Sequence, residues 1–106
     1  MIRRYVLAPE AALDLAQIWR HIEENSSHEM ADRVEAVIRK KIIFLAGNPG
    51  GGHSRKDLTH ALVKFFPAYS FLIVYRSETR PLQVVAILDG RRDLEQILGV
   101  RLGYQG

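Results

Sequence analysis

Cysteine is absent from this 106-residue chain, which excludes a disulfide framework and any thiolate metal site and suits a reducing cytoplasm. No apolar run approaches the roughly 20 residues that a membrane-spanning helix needs. No secretory leader is expected either: Met1-Ile2-Arg3-Arg4-Tyr5 carries two arginines, but an acidic helical pattern follows too soon for a leader's apolar core. The four histidines include no His-x-x-x-His pair, and no nearby acidic pair completes a ligand set, so neither metal nor cofactor is expected. Repeats, low-complexity tracts and linkers are missing too, and the length corresponds to a single domain, 1–106.

What is present is charged unevenly. Residues 1–38 hold four Lys/Arg against seven Asp/Glu, a balance of −3, whereas residues 39–106 hold eleven against five, a balance of +6. The positive potential therefore belongs to the second half. A solvated basic face is the ordinary outcome of such a composition. A surface for an acidic protein or a polyanion is the sharper one.

Ile2 to Leu7 reads as an opening strand, with Tyr5 and Val6 as β-formers. Pro9 suits a first helical turn, where its missing N–H costs nothing, and Glu10 complements the helix dipole there. Leu15, Ile18, Trp19 and Ile22 recur at three- and four-residue spacing and give this helix one apolar stripe. Ser26 followed by Glu29 fits a capping box opening a second helix, whose buried face is Met30, Val34, Val37, Ile38, Ile42 and Leu45. Gly47 stands where a left-handed cap is expected, and Pro49 prevents continuation. The two helices form an antiparallel hairpin.

Three strands follow: Ala61 to Phe66, Phe71 to Arg76 and Leu82 to Leu88, with Pro67 to Ser70 as the first turn. The last strand is apolar almost throughout, which assigns it to the sheet centre. Arg91 to Leu98 forms a short final helix, and Tyr104 lies in the tail beyond it. The expected fold class is α+β: β-α-α-β-β-β with a helical hairpin on a small, mainly antiparallel sheet and a short C-terminal helix.

Several residues invite a chemical role. Gly50 to Gly52 suggest a phosphate cradle, but a P-loop needs a preceding strand, a following helix and a Lys-Ser/Thr pair, so a flexible turn is the expectation. Imidazole is a suitable group for acid–base work on RNA, which makes His53 and His60 candidates. Trp19, on the apolar stripe, has a core position as its default. Phe65, Phe66, Tyr69, Phe71 and Tyr75 crowd one hairpin and cannot all face inward if the strands alternate, so some of them should meet a partner. Arg91-Arg92-Asp93 follows a central strand directly, where loops on a rigid scaffold commonly carry function; alternatively, Asp93 caps the last helix and an arginine pairs with a carboxylate.

Taken in order, Tyr5-Val6-Leu7-Ala8-Pro9-Glu10-Ala11 with Asp14-Leu15 and Ile18, then Asn48-Pro49, Gly52-His53, Arg55 and Asp57-Leu58, then Tyr75, Ile87-Leu88, Gly90 and Arg92-Asp93, the chain resembles ParE toxins of the ParE/RelE superfamily. It departs at Ala8, where the family commonly has Ser, and at Asp89, where it often has His. The resemblance implies a cytoplasmic toxin of a type II toxin–antitoxin system that inhibits DNA gyrase by trapping it on cleaved DNA. It implies no hydrolytic activity, and neutralisation by a ParD-like antitoxin whose disordered segment folds onto the toxin. Target binding is expected from Arg91, Arg92 and Asp93, with His53, Arg55 and Lys56 nearby. Antitoxin binding is expected from Trp19, Phe65, Phe66 and Tyr69.

The RelE branch shares the fold and cleaves mRNA on the ribosome. Under that alternative, Arg55, Lys56, His53, Arg76, Arg91 and Arg92 are the catalytic candidates and RNA is a direct ligand; otherwise no direct nucleic-acid binding and no membrane partner is expected. An inactive toxin-fold binding module is the third alternative. No His-Tyr pair follows the last strand, where Asp89 and Gly90 stand, and this favours the ParE reading.

Overall fold

The computed structural model describes residues 4–103. Its elements run β1 (Tyr5–Leu7), α1 (Pro9–Asn25), α2 (His28–Gly47), a 3-10 turn (Pro49–Gly51), β2 (Lys64–Ala68), β3 (Phe71–Arg76), β4 (Leu82–Asp89) and α3 (Leu94–Arg101). The sheet order is β1-β4-β3-β2; β1 lies parallel to β4 and the other pairs are antiparallel. The apolar last strand is therefore interior, as its composition demands. The expected residue Ile2 of the first strand, and Tyr104 of the tail, lie outside the described residues.

Both faces of the sheet are covered. On one face α1 and α2 pack Ala11, Leu15, Val34, Ile38, Ile42 and Leu45 against Ile73, Tyr75, Leu82, Val84 and Ile87. The other face carries Phe65, Val74, Val85, Ala86 and Leu88 under Val63, Leu94 and Leu98, supplied by the segment before β2 and by α3. β4 reads as continuously apolar for two reasons: it is buried on both sides, and it contains a bulge. Val74 opposes Ala86 while Tyr75 opposes Val84, so Val85 is an extra residue, and Val85 and Ala86 both serve the second face.

Several local expectations shift. Ser27, not Ser26, caps α2: its Oγ accepts the Met30 N–H at 3.0 Å, while the Ser26 N–H closes the last turn of α1 on the Ile22 carbonyl. Glu29 thus falls one residue short of the capping-box position. Met30 is exposed and Val37 half-buried, so the buried stripe of α2 is narrower than expected. Gly47 ends α2 without a left-handed φ, and Asn48 is the cap. Strand β2 starts and ends later than expected because it is an edge strand, where Pro67 needs no ladder partner for its missing N–H. Tyr69 turns the β2–β3 corner at φ 58°.

Candidate functional site

Gly50 to Gly52 do not form a flexible turn. The Tyr75 side chain is fully buried, and its hydroxyl donates to the Pro49 carbonyl at 2.7 Å and accepts the Gly52 N–H at 2.9 Å. Burial raises the Tyr75 pKa, which keeps the hydroxyl neutral and able to do both. His53 then pairs with Phe65 through two backbone hydrogen bonds, at 2.8 and 2.7 Å, extending the β2 edge. The His53 side chain is exposed.

Past this anchor, Arg55, Lys56, His60 and Lys64 line a cleft of about 260 Å³ with Ser77 and Glu78. Arg55 is held by Asp57 through bonds of 3.0 and 2.8 Å; the same pair raises the Arg55 pKa and lowers that of Asp57. Arg76 closes β3 at this end of the sheet.

Arg91 and Arg92 occupy the other end. They follow β4 where Asp89 opposes Phe71, the first residue of β3, and the Gly90 N–H bonds the Ser70 carbonyl at 2.8 Å. Five residue steps of β3 separate Phe71 from Arg76, roughly 17 Å at strand spacing. The basic residues expected to act together are thus two groups: His53, Arg55, Lys56 and Arg76 at one end, Arg91 and Arg92 at the other. The adjacency expected between His53, Arg55, Lys56 and the Arg91-Arg92 pair is therefore corrected. Antiparallel pairing of β3 and β4 produces the separation, because residues just after each strand leave the sheet at opposite ends.

At the Arg91 end the charges are paired selectively. Asp89 accepts from Arg91 Nε at 3.0 Å, Nη2 at 2.7 Å and the Arg91 backbone N–H at 2.9 Å. The Arg91 guanidinium, aided by that N–H, holds the Asp89 pKa down at about 2. Asp93 caps α3, its Oδ1 accepting the Gln96 N–H at 3.3 Å. The expected start of the last helix at Arg91 therefore moves to Leu94, and Asp93 has the structural role. Arg92 is exposed and, among the described residues, makes no ion pair or side-chain hydrogen bond.

One constellation escaped the sequence reading of site residues. Asp14 of α1 is buried, accepts the Ile87 N–H at 3.0 Å and receives Arg101 of α3 at 2.6 and 3.0 Å. β1 pairs with β4 only as far as Val84, so Asp14 supplies the acceptor that the short strand leaves missing. The available signal was an aspartate in the series Ala11, Asp14, Leu15, Ile18, at core positions of the first helix.

The aromatic candidates also divide. Phe65 is 3% exposed inside the second core and offers no surface to a partner, because α3 and the preceding loop cover the face on which it stands. Phe66 is half-buried beside Phe44, with Lys41 over its ring at 5.4 Å. Tyr69 is 58% exposed at the hairpin tip, at the Arg91 end. Trp19 is half-buried, donates to Asp32 Oδ1 at 2.8 Å and lines a groove of about 350 Å³ with Leu7, Leu15, Arg20, Glu35 and Arg39.

Residues 5–94 match the family model described as ParE toxin of type II toxin-antitoxin system, parDE. Among solved structures, the chain is similar to one from P. aeruginosa titled as a chromosomal ParDE toxin–antitoxin system. The TM-score is 0.69 at 19% identity, over 83% of this chain and 96% of that one, a likeness of fold. No curated protein matches the chain in sequence.

Proposed function

The chain belongs to the ParE toxin family of type II toxin–antitoxin systems, and on that premise we propose that it arrests growth from the cytoplasm by inhibiting DNA gyrase. A ParD-like antitoxin neutralises it. The observation that carries the reading against the mRNA-cleaving alternative is the separation of the basic residues. In-line cleavage of a phosphodiester needs cations and a proton-transfer group around one phosphate. Here Arg91 and Arg92 stand roughly 17 Å along β3 from the end that holds Arg55, Lys56 and Arg76.

On this reading the Arg91-Arg92 end meets the target. The Trp19 groove on the helical hairpin receives the antitoxin, its apolar floor flanked by Arg20 and Arg39. Purified, antitoxin-free protein in a gyrase supercoiling assay tests the proposal, with translating ribosomes and mRNA in parallel. Inhibition with accumulated cleaved DNA and intact mRNA supports it. Cut mRNA with normal supercoiling overturns it in favour of the ribosomal nuclease.

A further inference from the structure

A groove of about 320 Å³ opens between α1 and the Arg91 end of the sheet, with Ile18 and Phe71 as apolar lining and Gln17, His21 and Arg92 among its polar groups. Its two carboxylates are already engaged: Asp14 by Arg101 and the Ile87 N–H, Asp89 by the Nε–Nη2 edge and the backbone N–H of Arg91. What faces an incoming partner is therefore the exposed Arg92 guanidinium, which makes no ion pair or side-chain hydrogen bond among the described residues, beside the half-buried Ile18 and Phe71. We propose that this groove is the target-docking surface and that it takes an acidic protein segment bearing an apolar side chain. Its carboxylate meets Arg92 and its apolar group meets Ile18 and Phe71. This rests on the reading above that the Arg91-Arg92 end engages the target, and it divides the labour between the two arginines.

Arg91 is a positioning residue. One edge of its guanidinium is held by Asp89, and the three bonds between the two residues fold the β4–α3 turn from which the exposed Arg92 follows. Arg92 is the contact residue. A protein segment fits better than a nucleic acid, because a phosphate backbone is gripped by several cations spread along it. Here Arg91 is paired with Asp89, two carboxylates line the groove, and Arg92 is, among the described residues, the one guanidinium of the lining without an ion pair. The bidentate geometry of a guanidinium also suits a carboxylate in a way that an ammonium does not.

The test uses full-length, antitoxin-free protein carrying Arg92→Glu, Arg92→Lys, Arg91→Ala, Gln17→Glu or Gln17→Lys. Supercoiling inhibition, growth arrest, antitoxin affinity and circular dichroism are measured for each. Gln17 is exposed on α1 at the groove, so its variants change charge without touching the core. The expected result is a loss of potency of about tenfold or more for Arg92→Glu, an intermediate loss for Arg92→Lys and a smaller one for Arg91→Ala. Gln17→Glu should weaken and Gln17→Lys should strengthen inhibition, with antitoxin affinity and fold unchanged.

Equal potency of folded Arg92→Glu and wild type overturns the proposal, as does a parallel loss of antitoxin affinity, which would make the groove part of the antitoxin interface. Arg92-dependent binding of a bare DNA duplex with a steep salt dependence overturns it in favour of nucleic acid. If the wild type arrests growth without affecting gyrase, the gyrase reading fails alone. Growth arrest across the same five variants then decides the groove. A wild type with neither activity overturns both.

Discussion

At the scale of single residues, Tyr75 and Gly52 show how one hydroxyl replaces a turn's missing hydrogen bonds. Tyr75→Phe removes both partners at once, leaving the Gly52 N–H and the Pro49 carbonyl without their buried hydroxyl. A loss of about 1–3 kcal/mol is expected in urea unfolding. Gly52→Ala is worse: its Cβ would lie 2.5 Å from the Tyr75 hydroxyl and 2.8 Å from the Phe65 carbonyl, with backbone unable to yield. Gly50→Ala meets nothing within 4 Å and should leave the unfolding midpoint near that of the wild type. Equal effects of the two glycine substitutions would sink the argument that close approach, not flexibility, selects glycine here.

Asp89 offers a residue-scale pH test. Its carboxylate is held at about 2, below the ordinary 3.8, chiefly by the Arg91 guanidinium. A carboxylate depressed on folding contributes stability that is present above its unfolded pKa and is lost as pH falls through the folded value. The Asp89–Arg91 clamp should therefore hold at pH 5 and loosen between about 4 and 2. A carbon-detected NMR titration is expected to place the Asp89 midpoint near 2 in the wild type and closer to 3.8 in Arg91→Gln. A wild-type midpoint already at the ordinary value would remove the clamp from the account of the turn.

Among elements, α3 is held by its packing through Leu94 and Leu98 and by an ion pair with little water around it. Asp14 and Arg101 side chains are 9% and 18% exposed, and Glu10 stands 3.5 Å from the same guanidinium. Removing one member of a buried pair costs far more than removing both, because the survivor keeps its desolvation cost without its partner. Asp14→Ala is expected to destabilise the fold by about 3 kcal/mol, because it takes the acceptor from both the Arg101 guanidinium and the Ile87 N–H. The double substitution Asp14→Ala, Arg101→Met should cost less in thermal unfolding than the sum of the two single ones. Strict additivity in that cycle would show that the two side chains act independently.

For the molecule as a whole, the architecture was legible in the sequence and the grouping of functional residues was not. Apolar periodicity disclosed the helical hairpin from Leu15, Ile18 and Ile22, and unbroken apolarity disclosed β4 as interior. Periodicity says nothing about what lies over each face, which is why Phe65 looked like a surface aromatic until α3 and residues before β2 were seen to cover it. Nor does sequence order say at which end of a sheet a loop emerges; that follows from strand direction, and it divides Arg55 and Lys56 from Arg91 and Arg92. Sites that far apart with no shared partner should contribute independently. Arg91→Ala with Arg92→Ala is expected to reduce growth arrest about tenfold or more, and to leave antitoxin affinity within about twofold, a difference under 0.5 kcal/mol. Arg55→Ala with Lys56→Ala should have a much smaller effect on arrest, and the quadruple variant should equal the product of the two. A quadruple variant no worse than either pair would mean that the four cations grip one ligand after all, which only an extended polyanion spanning the length of β3 could allow.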